Sequence, residues 1–344
     1  MQTHCVNPIT AWSLNRAVAF HNRDVIELLI EHGADLEQMA EEFGKAGETA
    51  LFTAVRLRNT AAARQLLAHG ANVNHRQING RTALFEALRS GHQDMVELLL
   101  AYGADVDVRP SCKCLADETS IYKYGSSPLH TVLKSYQMFI VLSNLRKTNH
   151  SSNAESAEHA ASKVEYFEIV KMLVTRGANF NLVMPYLARG PAAFPTVKHF
   201  RLPCLAISFL AQLTISDLSI NKYLLRNGAT SDFIELYHIM ASSMYSLDCV
   251  NTSFLKLVLL AGCKFEKYFK TLQEETQAPP VYAQRVQPLH DNIKALFSQP
   301  LTLQELSVMA IRQCIGSRQL WAKIDSLPDG IPRFVKDIIK LKPV

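Results

Sequence analysis

A 33-residue period constrains this chain more than anything else in it. The phrase Gly47-Glu48-Thr49-Ala50-Leu51 returns as Gly80-Arg81-Thr82-Ala83-Leu84, and Gly70-Ala71-Asn72 returns as Gly103-Ala104-Asp105, each 33 residues on. Two markers sharing one period describe an array of equal units, none of which buries its apolar face without a neighbour. Ser127-Pro128-Leu129-His130 is a third version of the first marker. Gly33-Ala34-Asp35 and Gly177-Ala178-Asn179 repeat the second, and Gly228-Ala229-Thr230 and Gly262-Cys263 are weaker copies.

Each marker has a mechanical reason. A Thr hydroxyl at 49 or 82 accepts a backbone N–H and starts a helix. Leu51, Ala54 and Val55, or Leu84, Ala87 and Leu88, then fall at i, i+3, i+4 on one face. After the turn Ser90-Gly91-His92, a second helix carries Met95, Val96, Leu98 and Leu99, and Gly103 ends it in the left-handed conformation that glycine adopts at least cost. A 33-residue helix–turn–helix unit with a trailing hairpin resembles the ankyrin repeat, and Asn79 to Asp107 follows that pattern nearly position by position.

The resemblance implies an all-α fold, an ankyrin-repeat solenoid. Walking the markers outward gives about six repeats over residues 11–263. Three long loops interrupt them, at 110–125, 144–163 and 182–201; the second, polar and free of aromatics, reads as disordered.

After Gly262 the period ends. Residues 264–298 are polar and hold Pro279, Pro280 and Pro288, which reads as a connector with room for a helix over Leu289 to Phe297. In 299–344 the texture changes: Thr302 and Glu305 form a capping box. The helix they open places Leu303, Ser307, Ala310, Ile311 and Cys314 in one narrow stripe, with Leu306 beside it. A Leu327-Pro328 element follows, and Pro332 is placed to start a last helix.

This segment resembles the SOCS box, a small three-helix module. With the repeats, the chain is similar to the ankyrin repeat and SOCS box family, over 14–262 and 299–344. The resemblance implies a substrate-recognition adaptor of an elongin B/C–cullin–RING ubiquitin ligase, which performs no catalysis. The first box helix would bind elongin C through Leu303, Leu306, Ser307 and Ile311, with elongin B alongside. Leu327, Pro328, Ile331 and Pro332 would meet cullin-5 and its RING protein. Ser307 stands where the family usually has Cys, and Asp329-Gly330 spaces the prolines more widely than the usual Leu-Pro-x-Pro. The rival reading is an ankyrin scaffold or inhibitor whose C-terminal helices only cap the array.

Arg56 and Arg89 lie 33 residues apart, as do Arg76 and Arg109. Stacked repeats align them in two rows, on the helix face and the fingers, where an acidic segment of the unknown substrate would find guanidinium partners. The plainer alternative is a solvated face. Cys112-x-Cys114 lacks a second ligand pair, so no metal is expected, nor any cofactor. No phosphate-binding loop, His-Glu-x-x-His or Gly-x-Ser-x-Gly is present to suggest an enzyme. A net charge of +5 is too mild to demand nucleic acid. No apolar run approaches the ~18 residues of a membrane span. Met1 to Ala19 lacks the basic start and apolar stretch of a secretory leader, and seven cysteines suit reduced thiols. The expected setting is the cytoplasm, with the nucleus also open.

Overall fold

In a computed structural model of the chain, the described residues are 8–39, 47–78, 80–108, 127–147, 153–179, 183–186, 200–203, 218–230, 233–234, 236–237, 250–274, 280–316, 320–328 and 330–342. The chain divides into two units, Met1–Ser135 with Ala154–Leu173, and Tyr136–Asn153 with Val174–Val344.

In the first unit the repeats fold as their spacing predicts. The helix pairs are α1 (Pro8–Ala19) with α2 (Arg23–Glu31), α3 (Ala50–Arg56) with α4 (Thr60–Ala68), and α5 (Ala83–Ser90) with α6 (Gln93–Ala101). α3 packs on both α1 and α5, while α4 packs on α2 and α6, giving two layers of helices. Leu14, Val18, Leu51, Ala54, Val55, Leu84, Ala87 and Leu88 are all buried. The Thr49 and Thr82 hydroxyls accept the Phe52 and Phe85 N–H at 3.3 and 3.4 Å. Buried polar side chains stitch one repeat to the next: the Asn59 amide donates to the Val18 carbonyl (3.0 Å), and the Gln77 amide donates to the Thr49 hydroxyl (3.1 Å).

The fourth repeat opens in the same way, with the Ser127 hydroxyl accepting the His130 N–H at 3.3 Å. Its helices are longer than expected: α7 spans Pro128–Lys147 and α8 spans Asn153–Thr175. Most of the 144–163 segment, expected to be a disordered loop, is therefore helix. Its Ala-, Glu- and Lys-bearing run over 153–163 carries high helix propensity and extends a helix whose far end is already anchored by buried Ile169, Val170 and Leu173.

Gly33, Gly70, Gly103, Gly177, Gly228 and Gly262 all have positive φ, from +77° to +104°. In five of the six the same two bonds close the helix: the Gly33 N–H reaches the Ile30 carbonyl (2.9 Å) and the Ala34 N–H reaches Leu29 (3.0 Å), and the pattern recurs at Gly70, Gly103, Gly228 and Gly262. The fifth and sixth repeats, weak in sequence, thus keep the closing geometry of the first three.

The second unit holds β1 (Val183–Tyr186) and β2 (Phe200–Pro203), paired antiparallel with Val183 opposite Pro203 and Tyr186 opposite Phe200. The 182–201 segment is therefore not loop throughout, since its two ends form a ribbon. The 110–125 segment, with Cys112 and Cys114, lies outside the described residues.

Next come α9 (Ser219–Arg226), α10 (Thr252–Leu260), α11 (Glu266–Glu274), α12 (Pro280–Ser298), α13 (Leu303–Ile315), α14 (Leu320–Asp325) and α15 (Arg333–Ile339). α10 packs on α9, α12 and α13, and α13 packs on α14 and α15. Where a connector was expected at 264–298, Glu266–Glu274 and Pro280–Ser298 are helical, and the helix expected over Leu289 to Phe297 falls within α12. Phe233 stacks on Phe265 at 4.2 Å, Tyr237 on His290 at 5.7 Å, and Phe297 meets Phe265 edge-on at 5.3 Å. Leu289, Ile293 and Leu296, at i, i+4, i+7 of α12, are buried. Among the described residues no helix is long and apolar enough to cross a membrane.

Candidate functional site

The capping box opens α13 as its sequence requires. The Thr302 hydroxyl accepts the Glu305 N–H (3.3 Å), and the Glu305 carboxylate accepts the Thr302 N–H (2.8 Å). Glu305 also pairs with Lys256 of α10. That Lys256 bond first, then the Thr302 N–H, holds the Glu305 carboxyl below its usual range. The start of α13 is thereby tied to the sixth repeat.

α13 has two unlike faces. Val308 and Arg312, one turn apart, are buried. The other face carries the predicted stripe, and it points to solvent. Leu303 is 81% exposed, Leu306 48% and Ile311 37%; Ser307, Ala310 and Cys314 are exposed as well. The Ser307 hydroxyl donates back to the Leu303 carbonyl (2.7 Å), so its bonding capacity turns inward along the helix. All four residues expected to bind elongin C therefore share one outward surface. An exposed Leu alone means little, but here three large aliphatics in helical register form one exposed apolar face on an otherwise anchored helix.

The buried side is held by a cation. Arg312 donates through Nη2 to the Leu225 carbonyl (2.7 Å) and through Nη1 to that of Ile339 (2.8 Å), and both nitrogens reach Arg226 O at 3.2 Å. The Trp321 indole N–H donates to the same Arg226 carbonyl at 3.0 Å. The Leu225 and Arg226 oxygens belong to the last turn of α9 and the Ile339 oxygen to that of α15, where carbonyls lack partners within the helix and carry partial negative charge. Burial pushes the Arg312 guanidinium down to about 10, which still leaves it charged at neutral pH.

The residues expected to meet a cullin divide. Leu327 packs against the small core of Leu320, Ile324 and Ile339, and so supports the module from inside. Pro328 and Pro332 are exposed and Ile331 is half-buried, with the Ile331 N–H closing a turn onto the Pro328 carbonyl at 3.0 Å. Phe334, the second residue of α15, is 65% exposed. Lys336 caps the end of α14 through the Asp325 carbonyl (3.2 Å) and reaches the Leu327 carbonyl beyond it (2.7 Å), and Lys340 pairs with Asp325 while lying over the Trp321 ring.

Arg56 and Arg89 take equivalent exposed places at the ends of α3 and α5, but each has a carboxylate in the chain. Arg56 meets Glu48 at 3.0 Å, and Arg89 clasps the buried Glu86 through Nε at 3.1 Å and through a second nitrogen. Arg76 is exposed in its finger, and Arg109 lies outside the described residues. Among the described residues no group of three or more His, Cys, Asp or Glu is placed to hold a metal.

Sequence reasoning missed Arg312, Trp321, Lys256 and Phe334. A charged residue on the inner flank of an amphipathic helix carries no local signal, and the carbonyls Arg312 meets lie up to 87 residues away. No curated protein matches the chain significantly. A family model described as Ankyrin repeats (3 copies) matches residues 14–110, from within α1 to beyond α6. The chain thus carries ankyrin repeats, a module for binding other proteins.

Proposed function

We propose that this chain is a substrate-recognition adaptor, with its repeats holding a substrate protein and its C-terminal helices docking on elongin C and elongin B within a cullin-5–RING ubiquitin ligase. It performs no bond chemistry and acts by raising the local concentration of two partners. The observation that carries this reading is the outward stripe of Leu303, Leu306, Ser307 and Ile311 on a helix whose other face is anchored. A helix serving only to seal the last repeat would turn its apolar stripe inward, whereas here Val308 and Arg312 face inward. Pro328, Ile331, Pro332 and the exposed Phe334 are the surface for the cullin, with Leu327 holding it in shape. Arg56, Arg76, Arg89 and Arg109 are the contacts offered to an acidic substrate segment, and Glu48 and Glu86 are the carboxylates such a segment would displace or extend.

The test is co-expression with elongins B and C. The chain should co-purify with both, and Leu303→Ala with Ile311→Ala should abolish capture without changing the melting temperature. Absence of capture by the wild-type chain would favour the non-degradative scaffold.

A further inference from the structure

Beside the apolar contacts of buried Val308 and of Ile315 on the Leu320–Ile324–Ile339 core, α13 has two polar attachments. Near its start, Glu305 pairs with Lys256 of the sixth repeat. Two turns later, Arg312 binds the carbonyls that end α9 in the fifth repeat and the one that ends α15. Seven residues of helix separate these points, about 10 Å at 1.5 Å per residue. One anchor fixes where a helix lies; two fix its direction and its rotation about its own axis.

We infer that Arg312 is the positioning residue of the docking helix: its guanidinium joins α9, α13 and α15 so that the Leu303–Ile311 stripe faces outward at a set angle to the fifth and sixth repeats. The inference rests on the docking role proposed for that stripe. The chemistry needs arginine in particular. Its acceptors come from two separate helix ends, at Leu225 and Arg226 on one side and Ile339 on the other. A planar fork with five donors spans them, while an ammonium group is a point charge and reaches one end at a time. Removing the fork takes its Nη1 bond from the Ile339 carbonyl and a charged donor from the Leu225 and Arg226 carbonyls, which keep the Gly228 N–H (3.1 Å) and the Trp321 indole. Trp321 adds one neutral donor at Arg226 and so supports the fork without replacing it. A partner on the stripe is consequently held by this body at fixed orientation and does not swing on a tether, even though 264–298 reads as a linker in sequence.

Two measurements on the full chain test this. Amide hydrogen exchange of Arg312→Lys should speed up about tenfold or more across α13, α14 and α15, with α3 to α6 unchanged, while Trp321→Phe should give a smaller increase over the same helices. In electron micrographs of the complex with elongins B and C, the wild type should show one elongin orientation relative to the fifth and sixth repeats, and Arg312→Lys a spread of orientations. Unchanged exchange in α13, or loss of protection extending equally to α3–α6, would overturn the assignment, as would a single orientation in both complexes. If the wild type forms no elongin complex the adaptor reading fails, and the exchange arm still decides whether Arg312 joins the helices.

Discussion

α5 and α13 carry similar apolar spacing and meet opposite fates. Leu84, Ala87 and Leu88 of α5 are at most 1% exposed, while Leu303 of α13 is 81% exposed and Ile311 37%. In α5 the facing surface is supplied by the neighbouring repeats. In α13 the chain's own contacts are made through Val308 and Arg312 on the other side, and the stripe is left outward. A helical stripe states that a face is built for contact; it does not state whether the partner belongs to the same chain.

The comparison breaks most sharply under truncation. Leu88→Ala should cost about 3 kcal/mol of stability, from lost transfer energy and the cavity left behind. Leu303→Ala should stay within about 0.5 kcal/mol, as for an exposed site. Denaturant melts of the two variants check this, and equal losses would mean that the stripe of α13 is packed after all.

A second contrast lies at the turn inside each repeat, where His21, Arg58 and Gly91 all adopt positive φ, at 56°, 58° and 68°. Gly91 is the one that has no room, since a Cβ there would sit 2.8 Å from the Tyr166 hydroxyl oxygen. Gly91→Ala should destabilise by about 2 kcal/mol through backbone strain and that clash. Tyr166→Leu in the same chain should recover the part due to the clash, as a double-mutant cycle will read.

Next in size is a pH effect. Burial, with Arg58 second and opposed by Glu86, lowers His92 from 6.5 to about 4 in the folded array. The unfolded chain therefore takes up its proton first. The contribution of neutral His92 is complete above pH 6.5 and is lost as pH falls toward 4, a change on the order of 1 kcal/mol once solvent screening is allowed for. Urea melts between pH 7.5 and 4.5 should show a shallower slope for His92→Gln than for wild type. The smallest effect should come from Arg58→Gly, a gain of about 0.5 kcal/mol from relief of the left-handed backbone. A loss there would show that the Arg58 contact with the Ser90 carbonyl (3.4 Å) outweighs that relief.

What the sequence revealed and what it hid follow from the range of the forces involved. Thr49, Thr82 and the closing glycines act within one turn, so their caps are legible from spacing alone. The stripe of α13 is legible for the same reason, but its outward direction depends on α9 and α10, far away in sequence. The connector reading fails by averaging over its first half: Phe265, Tyr268 and Phe269 fall at i, i+3, i+4, a helical signal submerged in polar neighbours, while the helix over Leu289 to Phe297 is legible from its own spacing. The 153–163 run was read for its polarity when its alanines and glutamates also favour helix. The arginine rows were legible as rows, while the partnership of Arg89 with buried Glu86 needed the fold.

The central claim is that α13 offers its stripe to a partner while its other face stays in the array. Calorimetric titration of the purified full chain with elongin B/C, paired with melting curves, measures both halves at once. The account predicts binding by the wild type, at least about a hundredfold loss in Leu303→Ala with Ile311→Ala from two truncated hot-spot side chains, and superimposable melts. Equal binding by both chains, or none by the wild type, would contradict it.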